Sequence, residues 1–69
     1  HDKRHALNDL LKIKGLENYY LYYTTIGELY SALKEWKEAI KYYEQAITLT
    51  GSIPEKELLQ VKIRNCFQH

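Results

Sequence analysis

The sequence predicts an all-α fold of about four helices folded into antiparallel hairpins. Three observations lead there. Apolar residues between Tyr19 and Leu49 recur at steps of three and four, the spacing that gathers side chains on one side of a helix. Lys34 and Glu35 interrupt that run with room for only a tight turn, so the two halves must fold back on each other. Capping residues mark further amphipathic segments on both flanks.

From Asp2 to Lys14, Leu7, Leu10, Leu11 and Lys14 share one helical side, flanked by Ala6 and Ile13. Asp2 suits the start of this helix, and Lys12 and Lys14 suit the negative end of its dipole. Gly15 is expected to close it as a left-handed cap. Leu16, Glu17 and Asn18 then lead into the next helix.

Tyr19, Tyr23, Ile26, Tyr30 and Leu33 form the apolar side of the second helix; Trp36, Ala39, Ile40, Tyr43, Ala46 and Ile47 form that of the third. Gly27 lies inside the second helix, where glycine costs about 1 kcal/mol relative to alanine. The close approach of a neighbouring backbone is expected to compensate. Ala39 and Ala46 supply the matching small surface, with the bulky Tyr43 between them.

Six of the seven tyrosines form adjacent pairs, Tyr19 with Tyr20, Tyr22 with Tyr23, and Tyr42 with Tyr43. Neighbours on a helix diverge by about 100°, so one ring of each pair must face another surface or solvent. After Leu49 the pattern breaks at Gly51. Ser52 followed by Glu55 has the form of a capping box, and Pro54 fits a first turn. A final helix is expected from about Ile53 to Asn65, with Cys66 and Phe67 just beyond. Its Leu58, Leu59, Val61 and Ile63 exceed one narrow stripe, so it should pack on the hairpin and leave apolar surface for another chain. Tyr19, Tyr20, Tyr22, Tyr42, Leu59 and Ile63 are the candidate interaction surface.

Ten Lys and Arg against nine Asp and Glu leave a formal charge of +1 with interspersed signs, which does not suit nucleic acid as a direct partner. No apolar run approaches the roughly 20 residues that span a bilayer. A lone cysteine, Cys66, fits a reducing cytoplasm better than a disulfide-stapled secreted domain. The start at His1 and the absence of methionine lead us to expect a fragment, the C-terminal part of a larger protein, with residues 1–69 as one domain. A core of this size supplies only about 3–5 kcal/mol, so support from a partner or a second copy is expected.

Catalytic chemistry finds little footing. His1, His5 and His69 lie near the chain ends, and Cys66 lacks a sequence neighbour that would activate its thiol. Glu28, Glu35, Glu38 and Glu44 interleave with Lys34, Lys37 and Lys41, which reads as a solvated surface with Lys34–Glu38 and Lys41–Glu44 at helical-neighbour spacing. No catalytic, cofactor or metal site is expected.

Tyr23, Ile26, Gly27, Tyr30, Ala39, Tyr43 and Ala46 stand where the tetratricopeptide repeat, of about 34 residues, places its aromatic, leucine, glycine, tyrosine, alanine, aromatic and alanine positions. The chain resembles that family over one full repeat, which implies a right-handed helical-repeat architecture. The family's proline after the second helix is missing; Gly51 takes its place and Pro54 comes later.

More narrowly, the chain resembles the C-terminal region of a subgroup of extracytoplasmic-function RNA polymerase sigma factors. Ala6, Leu7, Tyr19, Leu21, Glu28, Leu29, Leu33, Ala39, Ala46, Leu49, Thr50, Glu55, Lys56, Leu59 and Lys62 carry that likeness. Tyr20 and Tyr23 replace the subgroup's usual histidines, and Ile26 its arginine, so a ligand or regulatory contact made there is not carried over. The resemblance implies a non-catalytic accessory domain that binds another domain of its own chain, a polymerase component or a second copy. The alternative is a piece of a general repeat scaffold or co-chaperone that grips a peptide. A third, ligand sensing by the tyrosines, would require a pocket.

Overall fold

A computed structural model describes residues 2–68, and within them the chain forms α1 (Lys3–Lys12), α2 (Tyr20–Ala32), α3 (Trp36–Leu49) and α4 (Ile53–Phe67). Each helix packs chiefly on its neighbours in sequence, giving a slab of 33 × 31 × 16 Å. The expected all-α arrangement of hairpins is what forms. His1 and His69 lie outside the described residues.

Helix α1 starts as expected: the Asp2 carboxylate accepts the His5 N–H at 2.7 Å. It ends earlier than Gly15. Ile13 is already extended, and Gly15 takes its left-handed φ of 92° in the connection, where its N–H donates to Glu17. The hairpin to α2 is antiparallel, because Arg4 pairs with Glu35 at one end while the Tyr22 hydroxyl donates to the Leu10 carbonyl at the other.

The α2–α3 turn is a Schellman motif, in which the Glu35 N–H reaches the Tyr30 carbonyl and the Lys34 N–H that of Ser31. Lys34 occupies its left-handed position at φ 62°, a place usually given to glycine. That geometry takes Lys34 out of α3 and away from the expected pairing with Glu38. Glu38 pairs instead with Lys41, at 3.4 Å.

Ala39, Tyr43, Ala46, Leu59 and Cys66 form the core, with Tyr20, Tyr23, Tyr30, Trp36, Ile40, Ile47 and Ile63 packed around them. Leu7 and Ile26 are fully buried where α1 meets α2. Gly27 is buried, but a side chain rather than a backbone covers it. A Cβ at this position would stand 2.7 Å from both Cδ1 and Cε1 of Tyr43. The phenol ring fills the space that glycine leaves, while Ala39 and Ala46 serve the core shared with α4.

Helix α4 begins on half of the expected capping box. Ser52 Oγ accepts the Glu55 N–H at 3.4 Å, but the Ser52 N–H donates to the buried Thr50 hydroxyl rather than to Glu55. It runs two residues past Asn65, so Cys66 and Phe67 belong to the helix. Its continuation carries the Cys66 thiol into the core.

Candidate interaction surfaces

Three helices meet at one carboxylate. Glu28 Oε1, on α2, accepts the Tyr43 hydroxyl from α3 at 2.8 Å and the Lys62 ammonium from α4 at 2.8 Å. Burial alone would raise the Glu28 pKa, but the hydrogen bonds from Lys62 and Tyr43, together with the Lys62 charge, more than offset this and hold it below the ordinary glutamate value. Burial, and then the bond to Glu28, push the Tyr43 phenol upward. Burial likewise raises the Cys66 thiol, opposed by a hydrogen bond with Ser31, so Cys66 is a protonated core residue at neutral pH. The arrangement ties helices together and exposes no nucleophile.

The adjacent tyrosine pairs split as their spacing requires. Tyr19 is exposed while Tyr20 packs on the core; Tyr22 reaches α1 while Tyr23 turns to α3; Tyr43 is buried while Tyr42 stays half-buried. A ladder results. Tyr42 stacks between Tyr30 at 5.5 Å and Tyr23 at 6.2 Å, and Tyr22 meets Tyr23 edge-on at 5.2 Å. Burial, with Tyr30 and Glu38 nearby, raises the Tyr42 phenol, and burial, with Tyr23 and Glu17 nearby, raises that of Tyr22. Ring faces are largely spent on one another, which fits packing better than a stacking platform for a ligand.

Helix α4 carries four of the exposed large hydrophobics. Leu58 is 50% exposed, Val61 42%, Ile53 69% and Phe67 73%. Of the residues expected at an interaction surface, Tyr19 is exposed with its ring edge-on to Tyr20, and Tyr20, Tyr22 and Tyr42 are half-buried, whereas Leu59 belongs to the core and Ile63 packs against it. Leu58 and Val61 take the outward place. The available signal was their position off the stripe that Leu59, Ile63 and Cys66 form at steps of four and three.

His5 sits on the surface of α1, 4.0 Å from Asp9. Among the described residues no group of His, Cys, Asp or Glu is placed to hold a metal ion, no pocket is enclosed, and no helix is long and apolar enough to cross a membrane. No family model matches the sequence, and comparisons with curated proteins and with solved structures likewise give no match.

Proposed function

We propose that this chain is a single-domain, non-catalytic protein-interaction module working in a reducing, cytoplasmic compartment. The observation that carries the reading is α4, whose inner side closes the core while its outer side offers Leu58 and Val61 to solvent. Exposed apolar side chains on one helix supply surface for docking and support this reading. The helices pack in sequence order, as in helical repeats, and this supports the finer tetratricopeptide-like reading together with the signature positions around Gly27. The accessory domain of a sigma factor is the specific role drawn from the residue resemblance.

Binding of the purified chain to core RNA polymerase and to promoter-binding sigma domains tests this role. Binding to either is expected, and it should weaken strongly in Leu58→Asp with helical circular dichroism unchanged. Absence of binding to both removes the transcriptional role. Binding that ignores Leu58→Asp moves the module's working surface away from α4.

A further inference from the structure

The outward side of α4 has an internal order that says what it fits. Pro54, Leu58, Val61 and Asn65 are all exposed and follow one another at steps of four, three and four. Those steps are the d and a positions of a heptad seam, with a polar Asn65 in one a position. Glu57 and Arg64 then fall on the g positions, along one edge. Both are exposed, and neither forms an ion pair within the described residues.

We infer that this face binds a second copy of the chain, α4 against α4, antiparallel across a two-fold axis. The inference deepens the interaction-module reading by naming its partner. With the axis near Gln60, Leu58 of one copy meets Val61 of the other, and Pro54 meets Asn65. The same register sets Glu57 of each copy beside Arg64 of the other, so one pair of residues makes two opposite-charge contacts. A two-fold interface must be self-complementary in this way, since each contact occurs twice. The other edge of the seam is already committed, because Lys62 faces Glu28 within its own chain.

A four-turn seam lies at the small end of specific interfaces, so a dissociation constant on the order of 10 µM is expected. Sedimentation of the whole chain across a concentration series tests it. Wild type should shift from monomer to dimer, and Leu58→Asp should stay monomeric with unchanged helicity. Glu57→Arg and Arg64→Glu each place like charges together at both related contacts, weakening the dimer by about five- to tenfold. The double variant E57R/R64E exchanges the charges and should restore wild-type association. A parallel pairing would set residue 57 against Lys62, and the exchange would not restore it.

A wild-type chain that remains monomeric throughout, or a double variant no better than the single ones, overturns the inference. Neither result touches binding of Leu58 and Val61 to a different protein, which the polymerase and sigma-domain measurements read separately.

Discussion

The two outer helices of this slab are finished differently. Helix α1 buries only Leu7, is held by Arg4–Glu35 and Tyr22–Leu10, and turns Lys3, Asn8, Asp9 and Lys12 to water. Helix α4 buries Leu59 and Cys66, is tied through Lys62 to Glu28, and turns Leu58 and Val61 outward. A helical array needs a polar outer side wherever it stops. By that criterion the outer side of α1, where Leu11 alone is a large exposed hydrophobic, is nearer to a finished end than that of α4, a distinction set by side-chain chemistry while both helices share the α2–α3 hairpin.

The strongest way to break the comparison is to remove each helix's anchor. Leu59→Ala leaves a cavity in the core shared by three helices and should cost about 2–5 kcal/mol, enough to unfold most of so small a domain at room temperature. Leu7→Ala should instead release α1 alone. Its amides would exchange rapidly while those of α3 keep their protection. Equal loss of protection in α3 for both variants would show that α1 is as integral to the core as α4.

A substitution in the shared hairpin should affect both ends. Gly27→Ala adds a Cβ 2.7 Å from a Tyr43 ring that is tethered through its hydroxyl to Glu28. Over-packing of about 1–3 kcal/mol outweighs the gain of about 1 kcal/mol in helix propensity, so the midpoint of urea unfolding should fall. In a Tyr43→Ala background the clash is gone, and Gly27→Ala should raise the midpoint. A rise in both backgrounds would mean that the ring moves aside freely.

Acid should then distinguish the ends. Glu28 has a lowered folded-state pKa, so the stability it contributes is present above the ordinary glutamate value and is lost as pH falls below it through the folded one. Its side chain is 48% exposed, so screening keeps the effect small. The loss should appear as faster hydrogen exchange in α4, and Glu28→Gln should remove that pH dependence. An acid response that survives in Glu28→Gln would place the titrating group elsewhere.

Much of this was legible in the sequence. The period from Tyr19 to Leu49 and the break at Lys34 and Glu35 define the hairpin, and the divergence of adjacent tyrosines anticipates how they separate. Other features turn on contacts that periodicity does not contain. A left-handed turn is announced by glycine, yet the residue that takes it after α2 is Lys34, and Gly15 takes it only after α1 has already ended. Gly27 signals close approach but not by what, and a ring proves as effective as a backbone. Leu58 and Leu59 are neighbours of equal hydrophobicity in a helix that is apolar on several sides. Only the burial of Cys66, which shares a helical side with Leu59 and Ile63, decides that Leu59 enters the core and Leu58 does not.

The finest test of the two ends is at their caps. Asp2 holds the His5 N–H at 2.7 Å with a charged carboxylate at the positive end of α1, whereas Ser52 holds the Glu55 N–H at 3.4 Å with a neutral hydroxyl. Asp2→Ala should therefore cost about 1 kcal/mol and Ser52→Ala about half as much. The losses should also differ in kind. Helix α1 has little burial to fall back on, so Asp2→Ala should fray its whole first turn and lower helical circular dichroism before any unfolding begins. Helix α4 is secured by Leu59 and by the Thr50 hydroxyl that already satisfies the Ser52 N–H, so Ser52→Ala should leave the spectrum unchanged and move only the unfolding midpoint. If Ser52→Ala frays α4 as Asp2→Ala frays α1, then capping rather than core burial fixes the start of α4, and the two ends are alike where they were taken to differ.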